Sequence, residues 1–170
     1  SVFFTAVISG KNKPTMAGGI TGATLILVVA TEGICVLGTL LAAGDFREWI
    51  LFVSLAAYAV GAILYLIFIT LIVFRWMFFP LDADSLTPSY WINMGALAIT
   101  TLAGSRLILS VDTWPFLRDI ESFVKGLRFC YWAMAAWWIP LLIIAGVWRH
   151  GVQKVPVRYD PQYWSLVFPL

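Results

Sequence analysis

The sequence predicts an all-α integral membrane protein, a multi-span helical bundle, on three observations. The chain of 170 residues is 61% hydrophobic and only 12% charged, where an ordinary soluble domain carries about 25% charged residues. Its mean hydropathy is +0.90. Its apolar residues fall in runs long enough to cross a bilayer. A domain of this size buries only about 70% of its surface, so one water-facing core cannot hide so many apolar side chains. Hydrocarbon is the better solvent for them. The net charge of +2 comes with no basic run, which argues against a nucleic-acid partner.

A helix needs about 20 residues to cross roughly 30 Å of hydrocarbon. Residues 1–16 are broken by Lys11, Lys13 and Pro14 and read as the tail of an earlier helix and a loop. The first span is predicted at Ala17–Ala43 and is closed by the polar turn GDFRE at 44–48. The second is predicted at Trp49–Phe74, before FPLDADSLTP at 79–88, where two prolines and Thr87 or Ser89 as cap mark a helix start. The third is predicted at Tyr90–Leu109. After it, SVDTWPFLRDIESFVKGL (110–127) mixes apolar and charged residues and predicts a short helix lying at the interface. The fourth span is predicted at Phe129–Trp148, followed by the basic, proline-bearing loop RHGVQKVPVRYDPQ (149–162) and the start of a fifth span near Tyr163. Trp49, Tyr90, Trp91, Trp132, Trp148 and Trp164 sit near span ends, as an aromatic belt predicts. Residues 1–170 are therefore expected to be a single transmembrane domain fragment, cut from a longer protein at both ends.

Orientation is weakly biased. Lys11, Lys13, Arg75, Arg149, Lys154 and Arg158 fall on one side, and Arg47, Arg106, Arg118, Lys125 and Arg128 on the other. Six against five favours the first side as cytoplasmic. Span composition alternates more clearly. Gly, Ala, Ser and Thr make up 14 of 27 residues in the first span, 7 of 26 in the second, 8 of 20 in the third and 5 of 20 in the fourth. Small residues let helices approach closely in lipid, so spans one and three are expected to form an inner layer and spans two and four an outer one.

The polar residues inside the spans are the candidate site. Glu32 is the formal charge deepest in a span, and a charge at the bilayer centre costs about 2.5–3.5 kcal/mol on insertion scales. It reads equally as a pore or relay carboxylate and as a neutral or paired packing residue. At 100° per residue, Asn93, Ala96, Thr100 and Gly104 share one face of span three. Such a face suits a water-filled lumen, and it equally suits close helix packing. Arg106 near the span's end fits an interfacial anchor. Gly18 and Gly22 form a GxxxG that fits packing. Pro140 and Pro169 remove backbone donors and bend helices. Cys35 and Cys130 lie in apolar segments with no metal-ligand spacing, and His150 is the one histidine. No HExxH or GxSxG is present, so no catalytic residue, metal or cofactor is predicted, and the chain is not read as an enzyme.

Three strings carry a resemblance: PSYWINMGALAITTLAGSRL, WWIPLLIIAGVWRH and YDPQYWSLVFPL. They resemble the tellurite-resistance/C4-dicarboxylate transporter family, also called the voltage-dependent anion channel family, which includes a bacterial tellurite-resistance membrane protein, yeast malate permeases and the plant guard-cell slow anion channel. The likeness runs from about Ala17 to the end. It implies ten helices in five hairpins, odd helices ringing a pore and even ones outside, assembled as a homotrimer. The spans here would be helices five to eight and the start of nine. The resemblance also implies a phenylalanine gate, matching Phe168 beside Pro169 here.

The function expected is passage of small inorganic or organic acid anions through a central pore gated by Phe168, with Asn93, Ala96, Thr100, Gly104 and Glu32 as lining candidates, in an inner or plasma membrane. Two alternatives remain: a proton-coupled carrier for C4-dicarboxylates or tellurite-type oxyanions, with Glu32 as proton site, and a non-transport membrane enzyme or assembly subunit.

Overall fold

Apolar runs of this length fold as helices because hydrocarbon offers no partner to an unpaired backbone group. The computed structural model describes residues 9–11, 19–80, 86–157, 159 and 161–164. Among them, four helical stretches are long and apolar enough to cross a membrane: Gly22–Leu41, Gly44–Phe78, Pro88–Leu109 and Glu121–Val152. Helix α1 (Ile26–Leu41) is preceded by a 3-10 turn at Gly22–Leu25, α2 (Arg47–Phe78) by one at Gly44–Phe46, and α3 (Ile92–Leu109) by one at Pro88–Trp91. A short α4 (Pro115–Asp119) precedes α5 (Glu121–Val147), which continues as a π turn at Trp148–Val152. The described residues contain no strand.

Local chemistry sets the joints. Gly44 has φ +65°, a conformation that costs glycine little, and there the chain reverses from α1 into α2. Pro88 opens the third helical stretch at its first position, where a missing N–H costs nothing. Thr87 is the N-cap residue there but makes no side-chain cap bond. Its hydroxyl lies 2.7 Å from that of Ser89 instead.

The fourth span's start and the length of the second differ most from the sequence reading. The segment 110–127 holds the short helix α4, but its second half is already α5, which begins at Glu121. The Glu121–Lys125 pair, four residues apart and 2.7 Å in separation, supports that first turn, and Val124 is buried. Helix α2 has 32 residues, about 48 Å at 1.5 Å per residue, so its ends stand in the headgroup region. Pro140 lies inside α5 without ending it.

Helices α1 and α2 pack as one hairpin and α3 and α5 as another, joined by α3 against both α1 and α2. α3 is the most enclosed of the four, as its small residues predict. The first span departs from the expected inner layer: at 28% it is less buried than the second at 39%, and α1 keeps an open face at Ile26, Ile34 and Leu37. α5 presents Phe129, Trp132, Trp137 and Ile144 outward, the bulky surface that suits lipid tails. Gly22 lets the chain pass directly against the Ser89 carbonyl, where a Cβ would collide. Gly18 lies outside the described residues.

Candidate functional site

The face of α3 singled out from sequence is turned inward. Asn93, Ala96, Thr100 and Gly104 are all buried. The Thr100 hydroxyl donates to the Ala96 carbonyl at 2.8 Å. A Cβ built at Gly104 would lie 2.9 Å from the Tyr58 hydroxyl oxygen and 3.3 Å from Arg128 Cβ, so Gly104 is the point where α2 and α5 both touch α3. The Asn93 side-chain oxygen and the Tyr65 hydroxyl are buried without hydrogen-bond partners.

Glu32 joins this face from α1. Its side chain is fully buried, its carboxylate is set against Gly61 of α2, and Thr100 of α3 is its polar neighbour. Neither carboxylate oxygen has a hydrogen-bond partner in the geometry. The structure therefore brings Glu32 and Thr100 together, with Tyr58 and Gly61, where α1, α2 and α3 cross. Tyr131 of α5 closes this layer, donating to the Ala62 carbonyl at 2.7 Å.

The open face of α3 is different. It carries Ala98 and Leu102, both exposed, with half-buried Thr101 and Ser105 on one flank. Thr101 donates to the Leu97 carbonyl and Ser105 to the Thr101 carbonyl, each at 2.8 Å. Their hydrogens are thus satisfied by backbone, which leaves a weakly polar strip beside the exposed side chains of Leu102 and Leu109. Arg128 of α5 reaches this flank and donates to the Ser105 hydroxyl at 3.3 Å. Arg106 emerges on the other flank, 100° round the helix, with its Nε buried and unpartnered. The ion pairs among the described residues are Arg118–Asp112 and Lys125–Glu121. Arg106 and Arg128 therefore stand within membrane-spanning helices without a carboxylate.

The opposite end of the bundle is locked by cations that do have partners. Arg75 donates to the Tyr90 hydroxyl at 2.6 Å and to the Ile20 carbonyl at 2.8 Å. Arg149 donates to the Leu86 carbonyl at 2.6 Å. The expected gate Phe168 and its neighbour Pro169 lie outside the described residues.

Sequence reasoning missed Gly61, Tyr58 and Ser105–Arg128. Gly61 and Tyr58 carry no signal without the register of α2 on α1. Arg128 could have been found by extending α5 back to Glu121 on the Phe123, Val124, Leu127 spacing, which places it inside the span.

Comparison with known proteins gives the family. The family described as voltage-dependent anion channel matches residues 1–170. An uncharacterized membrane protein of Mycobacterium tuberculosis is 43% identical over 101 residues, covering 59% of this chain and 51% of that protein. An uncharacterized transporter of Methanocaldococcus jannaschii is 26% identical over 127 residues, covering 75% of this chain and 35% of that protein. The chain thus spans about half the length, or less, of the curated relatives it matches. No solved structure matches. With four membrane-length helices and a family match along its whole length, the chain belongs to the voltage-dependent anion channel family.

Proposed function

We propose that this protein passes small inorganic or organic acid anions across the bilayer, along the open face of α3. The observation that carries this reading is the flanking of the strip at Ala98, Thr101 and Ser105 by Arg106 and Arg128, two guanidinium groups that no carboxylate among the described residues neutralises. An ionisable residue inside a membrane span is a functional-site hypothesis by default, and uncompensated positive charge concentrates anions at a mouth. Ala98, Thr101 and Ser105 leave room beside the helix without presenting a strong binding group, and conduction requires that an ion can leave as well as enter. Asn93, Ala96, Thr100 and Gly104 support the path from behind, by letting α3 seat closely on its neighbours. The family membership supports anions as the cargo.

Phe168 is proposed as the gate on the resemblance described above. A ring across a narrow lumen stops a hydrated ion, and a rotamer change removes it. The test is anion flux into liposomes holding the protein at its full natural length, wild type against Phe168→Ala. A strong rise in flux supports a plugged pore. Flux unchanged in a well-folded variant removes Phe168 from the gate.

A further inference from the structure

We propose that Glu32 is a proton-binding site inside the helix bundle, and that gain and loss of its proton resets the contact of α1 with α2 and α3 and thereby sets anion flux. This rests on the transport reading above.

The geometry of the donors and acceptors around the carboxyl carries the inference. Four elements face it. Cys35 lies one turn on along α1 and points its thiol at the Ala103 carbonyl, 3.9 Å away. Tyr58 and Gly61 face it from α2, Thr100 from α3, and Tyr131 from α5. Among the described residues no lysine or arginine pairs with it, and Arg128, which acts on Tyr58, donates to Ser105. Tyr131 has spent its hydrogen on Ala62 and Thr100 has spent its own on Ala96. The Tyr58 hydroxyl is the donor that remains, because it is buried without a partner.

Such a site has two chemically distinct settings. With its proton, the Glu32 carboxyl is neutral and can stay buried without a counter-ion, with Thr100 as its polar neighbour. Without it, the carboxylate needs donors, because a buried, unpaired charge is costly. A donor has to come to it, either the unpartnered Tyr58 hydroxyl by a shift of its side chain or water admitted by separation of the helices. The proton passes between the Glu32 oxygen and water, so the O–H bond that forms or breaks there is balanced by hydronium or hydroxide.

The second setting has a route to the open face. The Tyr58 hydroxyl oxygen already lies 2.9 Å from the position of a Cβ at Gly104. The next residue, Ser105, holds Arg128. The Tyr58 hydroxyl lies over Gly104, so drawing Tyr58 toward Glu32 changes the packing of that stretch of α3, where Ser105 meets Arg128 of α5. Gly61 fixes the first setting, since any larger side chain there would displace the carboxyl.

The experiment is chloride flux through the full-length protein in liposomes, with equal pH on both sides, stepped from acid to alkaline. Wild-type flux is expected to change several-fold across one titration step, and Glu32→Gln, which keeps the shape of the neutral acid, is expected to hold the acid-side flux throughout. Glu32→Gln following the wild-type profile overturns the proposal. Tyr58→Phe gives a second reading if Glu32→Gln misfolds: it should displace the midpoint of the profile, and an unmoved midpoint counts against the site. If the wild type passes no anion at any pH, the transport reading fails separately. The proton site is then judged by infrared spectroscopy, where a protonated-carboxyl band that titrates supports it and the lack of such a band overturns it.

Discussion

The Glu32 carboxyl occupies the space that a side chain at position 61 would fill: a Cβ built on Gly61 would lie 2.7 Å from Glu32 Cδ. A carboxyl on α1 and a hydrogen in place of a side chain on α2 are thus one packing unit. Neither residue explains its own identity without the other.

Gly61→Ala should therefore destabilise the α1–α2 hairpin by about 1–3 kcal/mol, the usual range for overpacking, read as a lower melting temperature in detergent. Combining it with Glu32→Ala should recover part of that loss, because contacting residues couple in a double-mutant cycle. Strict additivity would mean that the two side chains do not share the space described.

Glycines elsewhere provide the contrast. Gly104→Ala pushes a methyl group toward Tyr58 and Arg128 and should lower the melting temperature. At Gly33 nothing lies within 4 Å of the Cβ position, and Gly33→Ala should stabilise α1 slightly, since alanine in a helix interior is favoured by about 1 kcal/mol. Equal effects at the two sites would contradict the packing at Gly104.

The Arg75 clamp makes a third case. Its bonds to Tyr90 and Ile20 tie the end of α2 to the beginnings of the first and third helical stretches. Arg75→Ala removes two charge-assisted bonds and should cost about 3 kcal/mol or more, with Tyr90→Phe costing less, about 1.5–3 kcal/mol. Urea or thermal unfolding of the detergent-solubilised protein checks the order. Tyr90→Phe being the worse of the two would move the main contribution away from the arginine.

These contacts also show what was legible in advance. The four spans followed from apolar run length, and the enclosure of α3 from its glycines and alanines. Both are properties of a single helix. The inward turn of Asn93 and Thr100 did not follow, because a small polar face looks the same to a lumen as to a neighbouring helix. Only the docking of α1 on α3, which puts Glu32 beside Thr100, separates the two readings. Arg128 was counted among the charges outside the spans because the fourth span was started one residue later, at Phe129. Yet the Glu121–Lys125 pair lets α5 begin two turns before its strongly apolar stretch. Phe168 and Pro169 were legible through family resemblance alone and lie outside the described residues.

The central claim is that anions pass along the open face of α3, and Ala98 and Ala96 test it most directly. They are two residues apart on one helix, Ala98 exposed and Ala96 fully buried. Anion flux and melting temperature would be measured for Ala98→Trp and Ala96→Trp in the full-length protein. The account predicts that Ala98→Trp sharply reduces flux at near wild-type stability, while Ala96→Trp chiefly lowers stability. Normal flux through a stably folded Ala98→Trp protein would contradict it and place the path elsewhere.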